Sequence, residues 1–452
     1  MEAKTANRNY SDMTEGAILP VLMKFALPLM LGGLFQDLYS VADMTIAGYT
    51  LGDHALAAIA ATSAVIMMMN YAARGYNLGN SILLSNAFGA GDMEKTRKSF
   101  AVMTELCFLY SVIMSAVFLS LIGPLMRLIN TPSSLFSDAR LYAVIIIGGL
   151  TCTMAYNLFA SAFKALGNSK MPLYFLIFSS FLNIGLDFLC IVVLQMGVAG
   201  AALATIFSQL ISAVPSGYYF FRLFPEMKFT LKDLKGTGAL AKEMFLVGIS
   251  VAVTNSIFAI GAVAIQGAVN SLGPETIIAQ SSCSKIRNFA TIPSVNIANS
   301  VATFAAQNYG AKKYDRITRG IWTSIGISFA FNLVTYTILF TLGDNIVQLI
   351  TNTDSENVVR TAQTMLNIEG AFTWAQTGVM GFRMCIQSLK RKVAPMFGTA
   401  IELVIRCFFA YVLTPAIGFR AISLAEPASW LISGASMAIC YYVIMNRIKK
   451  TE

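Results

Sequence analysis

Phe88-Gly89-Ala90 returns 221 residues later as Tyr309-Gly310-Ala311, and the same offset carries Leu51-Gly52 to Leu272-Gly273 and Gly197 to Gly418. Pro172 and Pro395 match at 223. Each copied element punctuates apolar runs, and about 20 apolar residues suffice for a helix to cross the hydrocarbon of a bilayer. The pattern is that of a bundle of spanning helices built twice, the plan of carriers made from two structural repeats. It favours a carrier over an enzyme.

Composition agrees. Hydrophobic residues make up 56% of the 452 and charged residues only 12%, with a mean hydropathy of +0.65. Soluble domains carry about a quarter charged residues, so lipid is the natural solvent here. The formal charge of +9 sits in short clusters between apolar runs, which reports membrane orientation and excludes a nucleic-acid partner. Seven cysteines are scattered singly without a CxxC pair, and His54 is the only histidine; reduced, buried thiols and no multi-histidine metal site follow. The first sixteen residues are polar and lack a small-residue cleavage pattern, so the first span is expected to stay in the mature protein.

Twelve segments are long and apolar enough to span: 18–48, 54–86, 98–123, 138–164, 171–194, 197–222, 243–271, 275–307, 317–343, 357–387, 394–417 and 422–446. Basic residues gather in the even connections, with Lys95, Arg97 and Lys98 after the second span, Lys164 and Lys170 around the end of the fourth, Lys312, Lys313, Arg316 and Arg319 after the eighth, and Lys390, Arg391 and Lys392 after the tenth. The odd connections 49–54, 194–197 and 271–275 carry none. The positive-inside rule then puts both termini in the cytoplasm of a multi-pass protein of the cell (inner or plasma) membrane. The expected organisation is a cytoplasmic segment 1–17, an N-lobe 18–222, a cytoplasmic linker 223–242, a C-lobe 243–446 and a tail 447–452. Six spans per half is an even number, so the two six-helix bundles of this all-α integral membrane protein are related by a pseudo-two-fold axis along the membrane normal. Pro28, Pro215 and Pro293 are candidate bend points, a fixed kink being the plain reading of each.

Ionisable groups deep in a span cost at least ~2.5 kcal/mol and need a reason. Asp43 lies in Gln36-Asp37-Leu38-Tyr39-Ser40-Val41-Ala42-Asp43 of the first span, where Gln36, Tyr39 and Asp43 share a helix face. Asp187 lies in Asn183-Ile184-Gly185-Leu186-Asp187 of the fifth, one turn from Asn183. If both faces point inward, the carboxyls form a coupled pair that loads a proton on one side and releases it on the other. Asn157 and Thr205 are positioned to complete its hydrogen bonds; polar anchoring between helices is the plain alternative. The offset of 221 carries Asp43 onto Ala264 and Asp187 onto Phe408, so the second half does not repeat the acids. It holds instead Lys285, Arg287, Glu369, Arg383, Glu402 and Arg406. Glu402 and Arg406, four apart, read as a self-neutralising pair on one helix. Lys285, Arg287, Glu369 and Arg383, with Gln36 and Asp37, are candidates for a substrate pathway. Met67 to Met69 and aromatics such as Phe35, Tyr156, Phe159, Phe289, Phe372 and Trp374 offer adaptable contact, although packing explains any single one as well.

Together these stretches resemble the multidrug and toxin extrusion (MATE) family of antiporters. The likeness spans roughly residues 15–446 and rests on Leu27-Pro28-Leu29-Met30, Val41-Ala42-Asp43 followed by Ile46-Ala47-Gly48, Phe88-Gly89-Ala90-Gly91-Asp92, Asn183-Ile184-Gly185-Leu186-Asp187, Gly197-Val198-Ala199-Gly200-Ala201-Ala202 and Gln307-Asn308-Tyr309-Gly310-Ala311. The resemblance implies a V-shaped pair of six-helix lobes and export of amphipathic compounds, by alternating access, against inward protons or sodium. It implies a coupling site at Asp43, Asp187, Tyr39, Asn183, Asn157 and Thr205, in the bacterial branch that keeps both acids. The chain departs at Asp37, an added acid, and lacks a mid-span acid in the seventh helix where some members bind sodium. Protons are the preferred coupling ion, with sodium near Asp43 left open and no other metal or cofactor expected. The expected partners are small amphipathic substrates and the lipid bilayer, with the protein a monomer. The alternatives are a flippase for a lipid-linked precursor or an exporter of a specific anionic metabolite. A membrane enzyme would need a catalytic cluster near one interface, and no such motif is present.

Overall fold

The structure, a computed structural model, describes residues 12–129, 131–351 and 355–451; positions 1–11 of the expected amino-terminal segment and position 452 of the tail lie outside it. The described chain is helical, with no strand. In lipid a backbone must satisfy its own hydrogen bonds, and long apolar runs do so as helices. We number twelve: α1 Ile18–Gly52, α2 His54–Gly89, α3 Met93–Leu128, and α4 formed by Ser133–Gly148 and Leu150–Ala165. They continue with α5 Lys170–Asp187, α6 Gly197–Leu223, α7 Gly238–Asn270, α8 Pro274–Gly310, α9 Tyr314–Thr351, α10 Glu356–Ser388, α11 Val393–Cys407 and α12 Phe419–Thr451. Among the described residues nine helices are apolar enough to cross a membrane unaided, ten with the bent pair of α4. The remaining two, α8 and α10, carry Lys285, Arg287, Glu369 and Arg383.

The duplication is visible in the backbone. Gly52 and Gly273, which separate α1 from α2 and α7 from α8, have φ of 78° and 98°. A Cβ in that left-handed region costs roughly 1–2 kcal/mol, so glycine marks the reversal in both copies. The left-handed turns at Gly91, Gly167 and Gly197 recur at Lys312, Lys390 and Gly418. A π-helical turn follows α5 at Phe188–Val193 and α11 at Phe408–Leu413.

Two compact units emerge among the described residues: residue 12 with 31–252, and residues 13–30 with 253–451. Each therefore includes the opening turns of the other half's leading helix. In the amino-terminal unit the sharpest break is the 45° bend inside α4. It falls at Gly148-Gly149 and not at a proline, whereas Pro28, Pro215 and Pro293 sit within continuous helices. Gly149 is required by close approach, since a Cβ there would lie 2.3 Å from the Ile206 side chain of α6. The core of this unit ends in an aromatic cluster in which Phe100 contacts Phe159, Phe220, Phe221 and Phe229. Phe224, Met227 and Phe229 bring the linker onto that cluster. The linker's short turn Leu231–Leu234 is capped by Thr230 and Asp233, and Arg97 pairs with Asp233 at 2.9 Å.

In the carboxy-terminal unit the segment preceding α1 is strapped to the corner between α8 and α9. Met13 donates its backbone N–H to Gln307 Oε1 at 2.9 Å and accepts from Asn308 Nδ2 at 3.1 Å. Lys313 Nζ donates to Thr14 O at 2.9 Å, and Arg316 to the carbonyls of Glu15 and Gly16 at 2.8 and 2.7 Å. Met13, Leu22 and Phe25 are buried beside Val301, Phe304 and Met437.

Candidate functional site: an unpaired acid pair and a neutralised network

In the amino-terminal unit α1 and α5 bring together the residues singled out by their shared faces. The Tyr39 hydroxyl donates to Asn183 Oδ1. Asp43, half-buried, lies within hydrogen-bond reach of Asp187, which is 1% exposed. Among the described residues, neither oxygen of Asp187 receives a donor, and no arginine or lysine side chain acts on either acid. Two ionised carboxylates have nothing to donate; one proton held between them converts a repulsion into a hydrogen bond. Asp187 is the last residue before the π-helical turn Phe188–Val193. Such turns often accompany functional sites.

Two expected supports are not engaged. Thr205 on α6 spends its hydroxyl proton on the carbonyl of Ala201 in its own helix, at 3.0 Å, the usual local competitor for a serine or threonine in a span. Asn157 is half-buried on α4 and has no side-chain hydrogen bond with the acids. Gln36 and Asp37 are half-buried on α1. A residue the sequence reading missed takes part: Tyr142 of α4 lies within electrostatic reach of both acids. A tyrosine in an apolar run carries no signal that would have revealed this.

The carboxy-terminal unit has a different arrangement. Arg287 Nη1 of α8 meets Glu369 Oε2 of α10 at 2.7 Å, with Cys283 Sγ 4.0 Å from the same oxygen. Arg383 of α10 pairs with Glu402 of α11. Arg406 of α11 pairs with Glu426 of α12 at 2.7 Å, its guanidinium lying 4.5 Å from the centre of the Phe258 ring on α7. Glu402 and Arg406 are therefore not partners of each other, a correction to their expected i,i+4 pairing. Each instead reaches a neighbouring helix, Glu402 meeting Arg383 and Arg406 meeting Glu426 through one guanidinium nitrogen apiece. Glu426 went unnoticed although an acid in the twelfth span satisfied the same rule that exposed Asp43 and Asp187. Lys285 is exposed on α8. Beside Glu369, a cavity of about 20 Å³ is bordered by Thr291, Asn332 and Thr373, room for one water.

The MatE family profile matches residues 28–189 and 250–412, one stretch in each half. The probable multidrug resistance protein YpnP of Bacillus subtilis is 29% identical over 308 residues, 68% of either chain. The multidrug export protein MepA of Staphylococcus haemolyticus is 23% identical, over 76% of either chain. Among solved structures, a MATE protein in its bent conformation superposes with a TM-score of 0.89 at 20% identity, covering 97% of this chain and 98% of that one. A MOP superfamily transporter from Pyrococcus furiosus gives the same score, identity and coverage. The two family matches fall on the two copies of the repeat, the superpositions bear out the two-lobed twelve-helix fold, and this chain belongs to the MatE family of membrane transporters.

Proposed function

We propose that the protein is an antiporter that exports small amphipathic organic compounds by alternating access, driven by protons entering through Asp43 and Asp187. The observation that carries the reading is the contact between these carboxyls, one of them 1% exposed, with no cation to neutralise them. A proton shared by the pair removes the repulsion, and its loss on the opposite side restores it, so the site alternates between two states of charge. Tyr39 and Asn183 hold α1 against α5 by a hydrogen bond that changes with the position of either helix. The relatives' names, multidrug resistance and multidrug export, support the substrate side of the reading. The basic even connections support a cell-membrane location with both termini in the cytoplasm.

The test is uptake into everted vesicles under an imposed pH gradient, with a fluorescent cationic amphipath and, separately, radiolabelled 1-naphthaleneacetate. The expected result is gradient-dependent accumulation of at least one compound, reduced tenfold or more by Asp43→Asn and by Asp187→Asn. Accumulation by both variants at the parent's rate sinks the coupling site. Substituting a sodium gradient identifies the ion.

A further inference from the structure

Three arginines deep in the helices of the carboxy-terminal unit are neutralised. Arg287, Arg383 and Arg406 each reach a glutamate. Arg74, twenty residues into the apolar helix α2, reaches no carboxylate among the described residues and lies within electrostatic reach of Tyr156 and a second cation, Lys164. An uncompensated guanidinium at membrane depth faces water or a ligand, because lipid gives it no partner.

Arg74 opens onto a cavity of about 350 Å³ in the amino-terminal unit, walled by Ile66 and Met67 and carrying Ser63, Asn70, Tyr71 and Tyr142 as its other polar groups. That volume, an apolar wall and a few convergent polar groups are the attributes of a small-molecule site. Tyr142 also lies within electrostatic reach of Asp43 and Asp187, so one side chain borders both the cavity and the acid pair. From this geometry we infer that the cavity binds an amphipathic carboxylate, its apolar body against Ile66 and Met67 and its anionic head on Arg74. The negative acid pair on the Tyr142 side repels the same head and so fixes the ligand's orientation. Arg74 is thereby the residue that selects for anionic over cationic compounds. The inference names the substrate class of the proposed exporter and rests on that reading.

Equilibrium binding to purified protein in nanodiscs, without any gradient, tests it apart from coupling. The probes are 1-naphthaleneacetate, its neutral amide and 1-naphthylmethylammonium. The parent is expected to prefer the carboxylate over the amide by about tenfold or more, the value of one charge-assisted hydrogen bond. Arg74→Gln should abolish the preference, Arg74→Lys should restore part of it, and Met67→Trp, which fills the cavity, should weaken acid and amide alike. A parent that binds the three probes equally, or prefers the ammonium, overturns the assignment even if Arg74→Gln does not fold. An unchanged preference in Arg74→Gln does so too. Because Asp43→Asn leaves Arg74 in place, it should keep the preference; loss of transport with binding intact separates a failed coupling site from a failed anion site.

Discussion

In the amino-terminal unit two carboxyls face each other without a cation among the described residues, while the carboxy-terminal unit holds two buried carboxylates and a half-buried one and gives each a guanidinium. The two halves that carry these groups repeat one another down to their left-handed turns and π-helical turns. Backbone and chemistry have thus been inherited separately. One copy holds two acids with no cation beside them among the described residues; the other uses its ionisable groups to fix helices against one another, where removing either partner leaves a buried charge alone.

The sharpest way to break this comparison is to remove one acid from each unit. Glu402→Gln strands Arg383 and is expected to cost about 3–5 kcal/mol, read as a fall in the melting temperature of the detergent-solubilised protein. Arg383→Met combined with Glu402→Leu should recover most of it. Asp187→Asn takes away a carboxylate that has no donor and should leave the melting temperature unchanged or raise it. Equal damage from Glu402→Gln and Asp187→Asn would erase the distinction between the units.

Smaller effects sharpen it. Gly149→Val drives a side chain into Ile206 and is expected to cost about 1–3 kcal/mol by overpacking, again as a lowered melting temperature. The repeat also contains a natural experiment at its matched turns. Gly91→Ala introduces a Cβ at φ 75° and should cost about 1 kcal/mol. Lys312→Ala, at φ 61°, already bears that cost and should change stability less than Gly91→Ala does.

The smallest expected effect lies in the linker. The Thr230 backbone N–H, and then Arg97, hold the Asp233 carboxyl below the usual range. Its contribution is therefore present above the ordinary carboxylate range and is lost as pH falls through the lowered value. Pepsin cleavage of residues 223–242 should rise between pH ~4 and pH ~2, and Asp233→Asn should be cut readily at both.

The sequence disclosed the architecture well because lipid leaves few options. Apolar length marks a span, and all twelve expected segments appear as helices, most of them several residues longer at the ends. The juxtaposed acids were also legible, since Asp43 and Asp187 stand out in otherwise apolar runs. What was not legible is partner choice. Glu402 and Arg406 lie one turn apart in sequence, yet each pairs across a helix interface, and local spacing says nothing about which neighbour presents the opposite charge. Thr205 illustrates the same limit, its hydroxyl having a nearer acceptor in Ala201. Arg74 and Glu426 were visible as charges within spans and acquire meaning only from a cavity and from Arg406.

The strap that holds Met13 to Gln307 joins residues 294 apart in the chain. At ~5–20 residues per second, on the order of 15 to 60 s of translation separate the two ends of that contact. Leu22 and Phe25 must therefore wait in the bilayer for partners not yet made, so the earliest helix to leave the ribosome is among the last to find its final neighbours.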